Sequence, residues 1–172
     1  MKIYISTFIY VFCVLIANYT ATNFIPFPIF GAVSVGTLIF GITFTQRDRI
    51  HEKGKPFVYA VIFFTAILNL LFSIYWKIDS RIIIASFTSI IISEVTDTEI
   101  YHKLLHEKWI YRVTKSNAVS VPIDSTMFNL IAFIGVFSNL QIVGLIFGEI
   151  VVKYIISILS AINISSSKQI AK

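Results

Sequence analysis

Very little of this chain is charged. Of its 172 residues only 13% are Asp, Glu, Lys or Arg, while 56% are hydrophobic and the mean hydropathy is +0.83. A soluble domain of this length needs a more polar surface, so the expected solvent is the lipid bilayer rather than water. Cysteine is nearly absent. Cys13 stands alone, which excludes an internal disulfide and leaves the redox compartment unreadable. The chain has no glycine-rich phosphate loop, no Ser-His-Asp set and no basic–aromatic surface of the kind that binds RNA. His102 and His106 are four apart, but "HKLLHEKW" lacks the H-E-x-x-H order of a zinc hydrolase helix and no cysteine lies near. No metal and no cofactor are therefore expected, and both histidines read as solvated interfacial residues. The net charge of +5 does not point to nucleic acid either, because the basic residues lie between apolar segments, where membrane topology explains them.

Apolar segments supply most of the chain. Six spans are expected, near residues 3–21, 26–45, 57–76, 81–101, 116–137 and 140–162. Each has about 19 to 23 residues, enough at ~1.5 Å per residue to cross a ~30 Å hydrocarbon core. Almost nothing remains for a soluble domain, so residues 1–172 read as one integral membrane domain. The fold class is all-α, a polytopic six-helix membrane bundle. Positive charge orients it. Lys2 precedes the first span, Arg47, Arg49, Lys53 and Lys55 fill the loop after the second, and Lys103, Lys108, Arg112 and Lys115 fill the loop after the fourth. Lys168 and Lys172 lie in the tail, whereas the opposite side holds only Lys77 and Arg81. Both termini are thereby assigned to the cytoplasm, with the chain in the cell (inner) membrane. Tyr19, Tyr75 and Trp76 fall at the outer boundary and Trp109 and Tyr111 at the inner one. The first span also fits a cleaved signal peptide loosely, but a retained helix keeps the even span count that the basic loops require.

Three spans carry small or polar residues in steps of three and four, which keep side chains on one helical face. In the second these are Ser34, Thr37, Gly41, Thr45, Asp48 and Glu52. In the fourth they are Ser86, Ser89, Ser93 and Asp97, flanked by Glu94 and Glu99. In the fifth they are Asn117, Ser120 and Asp124. For the serines, close helix packing is the ordinary explanation. Carboxylates are different, because an ionisable group in a membrane is costly and by default functional. By span position Asp124 lies ~12 Å and Asp97 ~6 Å from the cytoplasmic face, with Asp48 at that face. The stripes are expected to converge on one polar chamber in the inner half of the membrane. Pro122 frees the carbonyl of Ala118 beside it, either to line that cavity or simply to kink the helix. Glu149 and Lys153, one turn apart, form a self-neutralising pair. Lys153 is then the only base deep in a span, against four acids besides Glu149, so the negative groups are expected to be uncompensated. Ala17 and Ala21 have small-xxx-small spacing, a pattern too common to carry weight.

These residues resemble a known family. "FTQRDRIHEKG" (44–54) is similar to the first signature of the VUT family of queuosine precursor transporters, with Asp48, Glu52 and Gly54 at its acidic and glycine positions. "SEVTDTEIYHKL" (93–104) resembles the middle block, with Asp97 at its aspartate. "RVTKSNAVSVPIDSTMFNLIAF" (112–133) resembles the last, with Arg112, Asn117, Ser120, Asp124, Ser125 and Phe128 in place. The likeness covers roughly residues 31–137. It departs at Gln46-Arg47, where the family has an apolar residue and Thr, and at Lys53, where it has Tyr. The resemblance implies import of a 7-deazaguanine-type base such as 7-cyano-7-deazaguanine, or of queuine. A carboxylate can accept two adjacent N–H donors of a guanine-like edge, a task that falls to Asp124. Asn117 can donate to the ring carbonyl, and Phe128 or Tyr101 can stack on the ring. Ser120, Asp97, Asp48 and Glu52 complete the expected substrate site. Glu94 and Asp97 are the proton-coupling candidates.

Competing readings remain. The alternative is the substrate-binding membrane subunit of an ATP-energised vitamin or nucleobase importer, which needs energising subunits. A scaffold predicts that the acids pair with bases inside the bundle. An enzyme is not expected, since no nucleophile–base pair can be assembled. The expected partners are the deazapurine and the lipid bilayer, with a homo-oligomer or energising subunits left open.

Overall fold

The computed structural model describes residues 2–27 and 31–170, without the side chains of Lys2, Thr45 and residues 160–170. Six helices form the bundle: α1 (Lys2–Tyr19), α2 (Val35–Ile50), α3 (Lys55–Tyr75), α4 (Ser80–Lys103), α5 (Trp109–Phe133) and α6 (Asn139–Ile170). A 3-10 turn, His51–Lys53, joins α2 to α3. The protein is an all-α membrane bundle.

The burial pattern is inverted relative to a soluble protein. Phe8 and Phe12 on α1, Phe63, Phe64, Ile67 and Leu71 on α3, and Leu140, Val143 and Phe147 on α6 face outward. Buried inside are Arg47, Asp48, Glu94, Asp97, Asp124, Glu149 and Lys153. Water would reverse both sets, whereas hydrocarbon outside and paired charge inside satisfy both. By length and apolarity α3 and the 139–159 part of α6 qualify individually as membrane spans, and α1 is a shorter apolar helix. The other helices are diluted by the polar groups they turn inward.

Several boundaries differ from the sequence-based expectation. Residues 24–34 do not open the second span. Phe24–Phe27 (β1) and Gly31–Ser34 (β2) pair antiparallel, Phe24 opposite Ser34 and Phe27 opposite Gly31. Pro26 cannot donate a helical bond, and Gly31 has φ +82°, a conformation closed to most L residues. Helix α2 starts only at Val35, where the Ser34 hydroxyl accepts from the Gly36 amide at 3.0 Å. It then runs on to Ile50, carrying Arg47 and Asp48 inside the bundle. Helix α5 likewise begins at Trp109 rather than at residue 116, and it ends at Phe133 before Gly135, at φ +77°.

Packing between helices is closest where side chains are smallest. A Cβ on Gly36 would lie 2.3 Å from the Ala17 carbonyl oxygen and 3.2 Å from the Ala21 Cα, so the small-residue spacing of α1 receives α2. A Cβ on Gly41 would meet Ile156 of α6 at 2.6 Å. Helices α4 and α5 share the most extensive contact. One apolar cluster, including Tyr10, Val14, Phe40, Phe44, Ile62 and Ile90, fills the space among α1 to α4. A second, including Ala85, Phe133, Ile142 and Leu145, closes the end near the hairpin.

Candidate functional site

Arg47 organises the first polar cluster. Phe40, Thr43, Phe44, Arg47 and Ile50 recur at steps of three and four and are all buried, so the inner face of α2 carries the arginine inward. Its Nη1 donates to Glu94 Oε1 at 3.1 Å, and its Nη2 pairs with Asp97 Oδ1 at 2.9 Å and also donates to Asn117 Oδ1. The guanidinium carbon stands 5.0 Å over the Phe44 ring. Ser120 donates to Asp97 Oδ1 at 3.0 Å, and Asn117 Nδ2 donates to Ser157 at 2.7 Å. One arginine thus ties α2 to α4 and α5, and Asn117 extends the network to α6.

Lys153 organises the second. Its ammonium donates to Asp124 Oδ2 at 2.8 Å, to Ser125 at 2.9 Å and to Glu149 Oε2 at 3.2 Å. Ser93, adjacent to Glu94 on α4, donates to Asp124 Oδ1 at 3.3 Å and links the two clusters. Beside this group lies a small cavity of about 50 Å³, lined among others by Asn18, Thr37, Ser86, Ser89, Asp124 and Phe128, with Glu149 and Lys153. A water molecule occupies ~30 Å³ of liquid, so the space suits one or two waters. Pockets for small organic ligands enclose ~300–1,000 Å³. The space beside the polar centre is too small for such a ligand.

A third group lies where α2 ends and α5 begins. A basin of about 450 Å³ is lined by His51, Glu52, Tyr101, His102, Trp109 and Arg112, among others. The Tyr101 and His51 rings stack at 4.1 Å, and the Arg112 guanidinium stands 5.0 Å over Tyr101 on α4. His51 Nδ1 and His102 Nε2 are 3.3 Å apart, and His51 Nε2 is 3.4 Å from Asp97 Oδ2. Burial pushes His51 below its ordinary value of 6.5, and Asp97 pulls partly the other way.

Several expectations change. Asp48, Asp97 and Asp124 are all interior, at 3%, 0% and 5% exposure, but they do not share one chamber. Asp124 and Phe128 line the cavity. Asn117, Ser120, Asp97 and Glu94 gather around Arg47. Glu52 and Tyr101 belong to the basin, and Asp48 is buried on α2 away from the cavity wall. The negative groups are not uncompensated, because Arg47, assigned by sequence to a loop, turns inward and Lys153 serves Asp124 as well as Glu149. A dry interior makes such pairing necessary. Among the described residues Arg47 is shared by two buried acids, Glu94 and Asp97, and Lys153 by two more, Asp124 and Glu149. Tyr101 offers no free face for a substrate ring, since His51 and Arg112 cover it. The Ala118 carbonyl released by Pro122 accepts from the Tyr154 hydroxyl at 2.9 Å instead of opening onto the cavity. Arg47, His51 and the Lys153–Asp124 contact were missed. The signal for the first was its three-and-four spacing with Phe40 and Thr43.

Among known proteins, the family model described as "Putative vitamin uptake transporter" matches residues 75–165, more than half of the chain and all of α4 and α5. No curated protein and no solved structure matches.

Proposed function

The chain belongs to that uptake-transporter family, and from this premise we propose that it imports a queuosine precursor, a 7-deazaguanine-type base, through the Asp124 site. A membrane carrier needs polar groups held in the bundle core, and the buried clusters around Arg47 and Lys153 support that. The observation that carries the reading is the shared ammonium of Lys153. It holds Asp124 at 2.8 Å and Glu149 at 3.2 Å together. A base whose adjacent N–H donors take Asp124 leaves Lys153 paired with Glu149, and those donors hold the Asp124 carboxylate in place of the ammonium. Phe128, on the cavity wall one turn from Asp124, offers its ring for stacking. Asn117, Ser120 and Asp97 form the neighbouring polar wall. Glu52 lines the basin and Asp48 is buried one turn before it on the chain. Glu94 and Asp97 are the groups that take up a coupling proton.

A cavity of about 50 Å³ cannot hold a bicyclic base, so substrate entry requires the bundle to open. The six helices cross the inner membrane, with both termini and the basin on the cytoplasmic side, as the basic loops support. The ATP-energised alternative has no observation of its own in its favour. The test is complementation. In cells unable to make the precursor but fed 7-cyano-7-deazaguanine, expression of this chain restores queuosine in tRNA. Absence of queuosine at a normal membrane level overturns the substrate assignment.

A further inference from the structure

We propose that His51 and His102 form a proton relay joining the basin to the buried Asp97 carboxylate; the inference rests on the import reading above and assigns its coupling path. The two oxygens of Asp97 are treated differently by the fold. Oδ1 is held by Arg47 at 2.9 Å and Ser120 at 3.0 Å, whereas Oδ2 accepts no hydrogen bond and faces His51 Nε2 at 3.4 Å. The other nitrogen of His51, Nδ1, meets His102 Nε2 at 3.3 Å, and His102 lines the basin. A continuous chain of titratable atoms therefore runs from a space open to solution to a fully buried carboxylate.

The stack of His51 on Tyr101 at 4.1 Å fixes the ring plane, and with it the direction in which both nitrogens point. The charged groups acting on the pair come from four elements. Arg47 lies on α2, Asp97 and Glu99 on α4, Lys55 on α3 and Arg112 on α5. Glu52 of the 3-10 turn lines the same basin.

The transfer balances without any further reactant. His102 takes a proton from basin water at Nδ1 and gives up its Nε2 proton to His51 Nδ1. His51 then releases its own Nε2 proton to Asp97 Oδ2. Each ring ends neutral with its proton on Nδ1, and Asp97 ends protonated. The reverse sequence discharges a proton from Asp97 to the basin. The final step spans 3.4 Å without hydrogen-bond alignment, so it conducts only when the bundle shifts, as coupled transport requires.

The experiment uses the full chain in liposomes with radiolabelled 7-cyano-7-deazaguanine, comparing accumulation driven by a proton gradient with counterflow exchange at equal pH. The wild type accumulates the base only with the gradient. His51→Gln and His102→Gln each lose at least tenfold of gradient-driven accumulation while counterflow persists. His106→Gln, whose side chain is 73% exposed, matches the wild type. Equal accumulation by His51→Gln and the wild type overturns the relay. So does loss of counterflow in step with accumulation in both relay variants, which marks a structural role, and so does gradient-independent wild-type uptake. A wild type that moves the base under no condition overturns the substrate reading instead, and the relay with it.

Discussion

Arg47 of α2 holds two carboxylates of α4 and an amide of α5. Removing it leaves Glu94 and Asp97 buried without a counter-ion, so Arg47→Ala should cost roughly 3–5 kcal/mol of stability. Arg47→Ala/Asp97→Asn should recover part of that loss, because one stranded charge is gone. Thermal unfolding in detergent measures both, and a double variant no more stable than the single one contradicts the pairing. His51 makes a second residue-scale prediction. Its folded value lies below 6.5, so as pH falls through that region the unfolded chain binds a proton that the folded chain does not. Stability therefore declines with falling pH, and His51→Gln should flatten that slope. Neither partner set was legible in the sequence, although the spacing of Arg47 with Phe40 and Thr43 marks its inward face. A basic residue after an apolar run reads as a loop charge, and only the tertiary fold brings Glu94 and Asp97 to meet it. Asp124 was legible because an acid amid "VPIDSTMF" has no local excuse, while its partner Lys153 was hidden by a nearer glutamate.

At the scale of elements, α5 and α6 are joined through a defect. Pro122 cannot donate to the Ala118 carbonyl, and Tyr154 of α6 takes the vacant acceptor at 2.9 Å. Tyr154→Phe should cost about 1 kcal/mol, and less in a Pro122→Ala background, where a helical amide competes for the same oxygen. The Gly36 contact predicts that Gly36→Ala destabilises by about 1–3 kcal/mol, since its Cβ would sit 2.3 Å from the Ala17 oxygen. Unfolding of the purified variants reads each effect. Hydropathy marks α1, α3 and α6 most clearly, because a helix that turns apolar faces to lipid writes them as runs, whereas α2, α4 and α5 are diluted by the polar groups they turn inward. It failed at residues 24–34, whose apolar letters are shared by strand and span, and where Pro26 and Gly31 rather than hydropathy decide the conformation. The start of α5 was hidden for the opposite reason, since its first turns carry Arg112 and Lys115.

For the whole molecule, the central fact is a bundle with its charge inside and its hydrocarbon outside. Among the described residues each buried base, Arg47 and Lys153, is shared by two buried acids, a condition suited to a donor-rich heterocycle or a proton. A 50 Å³ cavity is too small for a bicyclic base, so transport of one requires the bundle to widen. The direct measurement is uptake of radiolabelled 7-cyano-7-deazaguanine by the purified chain alone in liposomes under a proton gradient, wild type against Asp124→Asn. Losing a charge-assisted pairing of ~1.5–3 kcal/mol should weaken uptake roughly 10- to 100-fold while the variant stays folded. Uptake by Asp124→Asn equal to the wild type, or none by the wild type, would contradict the account.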